Sequence, residues 1–134
     1  MNKILICPDT QVKPGVNTDH LAWLGKYICD IRPDTIIMLG DHYDLPSLSS
    51  YDRGTAAIEG KRLIEDLRAG DLGIKKLKNP IYQLNQAQAK YKKKLYSPRF
   101  VFLKGNHEER LDRYLNHHPE LIGVLPSITD RLIS

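Results

Sequence analysis

Three short aliphatic runs constrain the fold of this chain more than any other feature: Lys3–Cys7 (KILIC), Thr35–Leu39 (TIIML) and Arg99–Lys104 (RFVFLK). Each is too short for a helix, is rich in β-branched or aromatic residues, and is stopped at once by Pro8, Gly40 or Gly105, which reads as a buried strand. Between the first two runs, Leu21, Leu24, Ile28 and Ile31 recur at helical spacing. They predict a helix over 19–31, capped by Thr18 or Asp19 and ended by Pro33. Strand, helix and strand joined by short turns form a βαβ unit, so these strands are expected to be parallel and adjacent. Residues 56–69 read as a second helix, with Ala56, Leu63 and Leu67 on one side, broken at Gly70 and Gly73. Asn79-Pro80 is a good helix start and opens a third helix to about residue 95, with Leu84, Ala87, Tyr91 and Leu95 inward. A fourth is expected over 107–117, with Leu111, Tyr114 and Leu115 inward, and a short one after Ser127. The expected fold is α/β, a mainly parallel sheet flanked by helices.

A chain of 134 residues with 41% hydrophobic and 27% charged residues suits one globular domain spanning 1–134. No aliphatic run approaches the roughly 20 residues that cross a bilayer, and the N-terminus lacks the apolar region of a signal peptide. A cytoplasmic location without membrane contact is therefore expected. The two cysteines, Cys7 and Cys29, read as free buried thiols, and with no Cys-x-x-Cys spacing a thiolate zinc site is excluded. Charge is distributed unevenly: residues 72–107 carry nine basic groups and no acid. The stretch holds Lys75, Lys76, Lys78, Lys90, Lys92, Lys93 and Lys94, read either as a solvated helix face or as a surface attracting phosphates such as those of DNA or RNA.

Each expected strand runs directly into a polar cluster: Asp9-Thr10-Gln11, then Gly40-Asp41-His42-Tyr43-Asp44, then Gly105-Asn106-His107-Glu108. Ligands of open parallel sheets bind beyond the carboxyl ends of the strands, so the clusters are expected to converge on one edge. Carboxylates, an amide oxygen and an imidazole gathered there suit hard divalent cations.

GDHYD and GNHE, each following a strand and preceded by the strand-terminal Asp9, resemble the motifs of the calcineurin-like metallophosphoesterases. The opening PDTQVKPG is most similar to phage-encoded members, which would place the chain in the host cytoplasm. The resemblance implies hydrolysis of phosphate esters by a dinuclear metal site, manganese being expected first and zinc, iron or magnesium as alternatives. It implies that Asp9 binds the first metal, Asp41 bridges both, and Asn106 binds the second. His107 would stand beside the phosphate and protonate the leaving oxygen. Asp44 and Glu108 would orient the loops and ligands rather than touch metal.

The chain also departs from that pattern. The family's first motif is usually Asp-x-His; here Gln11 holds the third position, with an amide oxygen as the donor. The family completes its site with a later histidine and a Gly-His-x-His motif, whereas no histidine follows His118. The resemblance thus corresponds to the N-terminal half of such an enzyme. It leads to two expectations: self-association or a second polypeptide that completes the site, or else a truncated, non-catalytic module binding nucleic acid or protein. His42 reads as a solvent-facing loop residue, His20 as part of a first helical turn, and His117-His118 as a helix C-terminus favoured by the dipole. Trp23, Tyr27 and Tyr91 fall at helical spacings and read as core.

Overall fold

The computed structural model describes residues 2–48, 56–124 and 126–133. In chain order the elements are β1 (Ile4–Cys7), α1 (Asp19–Ile31), β2 (Thr35–Met38), α2 (Ala56–Lys90), β3 (Arg99–Phe102), α3 (Asn106–His117) and α4 (Ile128–Ile133). Single 3-10 turns lie at Pro46–Leu48 and Pro119–Leu121. The strands form one parallel sheet in the order β1-β2-β3, with Ile6 beside Ile37 and Ile37 beside Val101.

Alternation along the strands sends Leu5, Cys7, Ile36, Met38, Phe100 and Phe102 to one face. There they meet Leu21 and Ile28 of α1 and Leu77 and Ile81 of α2 in the main core. Both crossovers connect neighbouring strands in the same direction, and right-handed crossovers then lay α1 and α2 on the same side. The other face stays open. Ile4 and Ile6 are 60% and 56% exposed, and Leu39 and Leu103, just beyond β2 and β3, are exposed with them. A second cluster lies past the carboxyl ends of the strands, where Tyr43, Leu45, Leu63, Leu67, Leu111, Leu115 and Ile128 are buried together. The free thiols of Cys7 and Cys29 are buried and half-buried as expected, and burial raises both.

The expected break between residues 69 and 80 is absent: α2 is one helix of 35 residues with Pro80 inside it. Its glycines serve close packing. A Cβ at Gly70 would overlap the Tyr43 ring, and one at Gly73 would lie 3.1–3.2 Å from Leu21, Val12 and His42. Pro80 leaves the Lys76 carbonyl without its usual helical donor, but its ring packs on α1, 2.9 Å from where a Cβ of Gly25 would sit. The inward side chains expected toward the end of α2 are also corrected. Leu84 is half-buried, but Ala87, Tyr91 and Leu95 are exposed, because α2 runs on past the sheet. Leu63 and Leu67 are buried as expected, while the side chain of Ala56 lies outside the described residues. Trp23 and Tyr27 are 66% and 51% exposed rather than core; the inward stripe of α1 is filled by Leu21, Leu24 and Ile28, and positions 23 and 27 turn away from it.

Candidate functional site

The three polar clusters leave the strands at the same edge and are joined through their backbones. Beyond β1 and β2 the chains stay paired: the Gln11 N–H donates to the Asp41 carbonyl at 2.9 Å, Val12 N–H to His42 O at 2.6 Å, and Asp44 N–H to Val12 O at 3.1 Å. Gly40 and Gly105 bring the second and third clusters into contact. A Cβ at Gly40, where φ is +103°, would stand 2.5 Å from the Gly105 nitrogen, and one at Gly105 would overlap Asp41 Oδ1.

Glu108 holds that junction. Fully buried at the third position of α3, its carboxylate accepts four backbone N–H groups. Asp41 N–H (2.9 Å) and Gly105 N–H (3.2 Å) donate to Oε2, and His42 N–H (2.8 Å) and Tyr43 N–H (3.3 Å) donate to Oε1. A buried carboxylate is costly unless its lone pairs are satisfied, and four donors satisfy all of them.

His107 and Asp41 face each other across this clamp. Asp41 Oδ1 accepts the His107 N–H at 3.0 Å, placing a carboxylate on the positive end of α3. The His107 ring sits against Asp44, with Nδ1 2.8 Å from the Asp44 carbonyl and 3.4 Å from its Oδ1. A carbonyl only accepts, so Nδ1 carries the proton and Nε2 is left for a ligand. Lys13 Nζ stands 4.0 Å from Asp44 Oδ2.

His42 is not a loop residue in solvent; it is completely buried. Its Nε2 donates to the Gly70 carbonyl at 2.9 Å, which leaves Nδ1 to accept the Thr10 hydroxyl at 2.7 Å. Desolvation pushes its pKa down, so the ring is neutral. With both nitrogens engaged, it has no free nitrogen to offer a metal. Sequence reasoning missed this bridge. No local signal could have found it, since His42 and its neighbour Tyr43 are both buried and its partners lie 32 and 28 residues away. A second missed chain links the loop to α4: the Tyr43 hydroxyl donates to Asp71 Oδ1 at 2.7 Å, and Arg131 Nη1 bonds Asp71 Oδ2 at 2.6 Å. Burial, then the Asp71 hydrogen bond, raises the Tyr43 hydroxyl far above its ordinary value.

The polar side chains that remain are the candidate ligands. Asp9, Gln11 and Asn106 are exposed at this edge, and no hydrogen bond engages their side chains among the described residues. The same holds for Asp41 Oδ2. Asp9, Gln11 and Asp41 also have φ of 40°, 44° and 55°, a left-handed conformation that side chains other than Gly, Asn and Asp seldom adopt. Donors of this kind, all oxygen, fit a hard divalent cation. They do not by themselves complete a pair of cations: among the described residues no three His, Cys, Asp or Glu side chains gather at ligating distance.

The basic stretch stands elsewhere. Gly73 touches the site loop, and Lys90 lies 17 residues further along α2, about 25 Å at 1.5 Å per residue. The Asn85 amide oxygen accepts the Tyr96 N–H, and the Tyr96 hydroxyl donates to the Pro33 carbonyl, so this end of α2 sits at the opposite edge of the sheet. Lys90, Lys92, Lys93 and Lys94 are therefore far from Asp41, and they are exposed there with Tyr91. Lys76 bonds Asp19 and Thr18 near the site end, and Lys78 lies over Phe100. The His118 ring stacks on Tyr114 at 4.2 Å, with Nδ1 on the Tyr114 carbonyl. His20 is exposed in the first turn of α1.

No described helix is long and apolar enough to cross a membrane. No curated protein and no solved structure matches the chain. The family model for calcineurin-like phosphoesterases matches residues 2–130. With nearly the whole chain matched, and the α/β sheet delivering its polar clusters to one edge, this chain belongs to the calcineurin-like phosphoesterases, a family that hydrolyses phosphate esters and generally binds two divalent metals.

Proposed function

We propose that the carboxyl edge of the sheet is a divalent-cation site for phosphate-ester hydrolysis. Asp9 and Gln11 would hold a first cation, Asp41 would be shared, and Asn106 would hold a second, with manganese the first metal to try. One observation carries this reading. Thr10, His42, Tyr43 and Glu108 in the same loops are satisfied by hydrogen bonds, while the oxygens of Asp9, Gln11, Asn106 and Asp41 Oδ2 have no partner among the described residues. The cations would polarise the phosphoryl group and supply a nucleophile at neutral pH. With both ring nitrogens protonated, His107 would give the Nε2 proton to the leaving oxygen while its Nδ1–H stays on the Asp44 carbonyl. Asp44 and Glu108 would act by position alone.

The donors are too few for two firmly held ions, so the proposal includes a completing polypeptide or a second copy, docked where the sheet is open. A chain of this kind would match the N-terminal half of a phage-type member working in a host cytoplasm. Mn²⁺ binding by calorimetry and hydrolysis of bis(p-nitrophenyl) phosphate test it. Asp41→Asn is expected to lose most Mn²⁺ binding, and His107→Ala to keep it while losing about 10²–10⁴-fold in any turnover. Equal Mn²⁺ affinity in wild type and Asp41→Asn would refute the assignment. A second reading, a non-catalytic module that binds nucleic acid, is favoured by the placement of Lys90, Lys92, Lys93 and Lys94 far from the reacting edge. It predicts DNA or RNA affinity that falls steeply with salt and is indifferent to Asp41→Asn.

A further inference from the structure

Between α2, β3 and α4 lies a cavity of about 270 Å³ that the phosphate chemistry does not use. Its floor is apolar: Met38 and Leu77 are buried there, and Ile74, Phe100, Phe102 and Leu132 form the walls. Two ammonium groups and one hydroxyl stand at the mouth, from Lys78, Lys104 and Thr129. They are not equivalent. Lys104 is neutralised by Asp112 at 3.1 Å, whereas Lys78 has no acidic partner among the described residues and rests 5.1 Å above the Phe100 ring. The α4 wall is anchored, because Arg131 bonds Asp71 of α2 at 2.6 Å and Asp71 in turn holds the buried Tyr43.

We propose that this cavity binds a small amphipathic anion, an unbranched or ring-sized hydrocarbon body with one carboxylate or phosphate head set against Lys78. The volume lies at the lower end of small-molecule sites, which admits a short acyl chain or a single ring. An apolar floor with one unneutralised cation at the rim sets both the character of the ligand and its orientation. A neutral alcohol would gain the floor and forgo the charge; a cation would meet the unneutralised Lys78 ammonium. The proposal does not rest on the metal site, and its test is indifferent to metal.

Met38 supplies the reporter, since it lines the cavity, is buried, and is one of only two methionines in the chain. Octanoate, octyl phosphate, octanol and octylammonium are titrated, without metal, against protein carrying ¹³C-methyl methionine. Saturable shifts of the Met38 signal are expected for octanoate and octyl phosphate, about tenfold weaker affinity for octanol, and none for octylammonium. Lys78→Met keeps the stem and should bring octanoate down to the affinity of octanol; Leu132→Trp should fill the cavity and abolish both. Lys93→Met, at the far end of α2, should change nothing. Comparison of octanoate with octyl phosphate identifies the preferred head. The proposal is overturned by an unsaturable shift, by equal affinity for octanoate and octanol in the unaltered protein, or by octanoate binding that survives Lys78→Met undiminished. Should Leu132→Trp fail to fold, the Lys78→Met comparison decides alone.

Discussion

Glu108 shows how one side chain can fix the shape of a site it does not line. Its four N–H partners come from two of the three loops that carry the candidate ligands. Hydrogen bonds to a charged group are worth about 1.5–3 kcal/mol each, and stranded donors add to the loss. Glu108→Gln is nearly isosteric but turns an NH₂ toward two of those donors, so a loss of about 3 kcal/mol is expected in urea unfolding. Full stability in that variant would contradict the clamp. At this scale the sequence was partly legible. Asp41, His107 and Glu108 could be placed at one edge because residues that directly follow parallel strands emerge there. His42 could not, since whether its ring points to solvent or beneath the loop depends on Gly70 and Thr10, which lie 28 and 32 residues away and give no local sign of their role.

The contact between α1 and α2 depends on the absence of side-chain atoms at Gly25, whose Cβ would overlap the Leu77 carbonyl oxygen. That obstacle is backbone and cannot rotate away. Gly25→Ala should therefore destabilise by about 1–3 kcal/mol despite the better helix propensity of alanine, while Lys26→Ala beside it should be near neutral. Thermal unfolding of the two variants checks this, and equal melting temperatures would refute the close approach. The same crossing explains why α2 reads as two helices. Gly70, Gly73 and Pro80 are breakers by local propensity, yet each is matched to a partner, Tyr43, Leu21 with His42, and Gly25 respectively. Tertiary packing overrides the local signal, and nothing in a single chain announces that it will. α1, by contrast, coincides with its expected span, because one uninterrupted apolar stripe and a proline define it.

Considered as a whole, the molecule is one-sided. Parallel sheets are ordinarily covered on both faces, yet Ile4, Ile6, Leu39 and Leu103 are exposed on the face away from α1 and α2. Self-association that covers this face is the expected outcome, since each aliphatic side chain it buried fully would be worth about 1.5–3 kcal/mol. Ile6→Glu should leave folding intact, since the side chain is already exposed, and should shift sedimentation toward monomer. An unchanged sedimentation profile at all concentrations would show that this face takes no part. That β1 and β2 are parallel and adjacent could be read from the sequence, while the place of β3 beside β2 could not. The bare face follows from that order by handedness alone.

The left-handed backbone at Asp9, Gln11 and Asp41 bears on how such a chain persists through mutation. For a residue with a Cβ, that conformation costs roughly 1–2 kcal/mol, and glycine escapes the penalty. Gln11→Gly and Asp9→Gly would accordingly relieve the fold, whereas at Asp41 the gain is offset by the lost hydrogen bond from the His107 N–H. At positions 9 and 11 stability and donor oxygens therefore pull in opposite directions: a change to glycine gains backbone ease and gives up the side-chain oxygen.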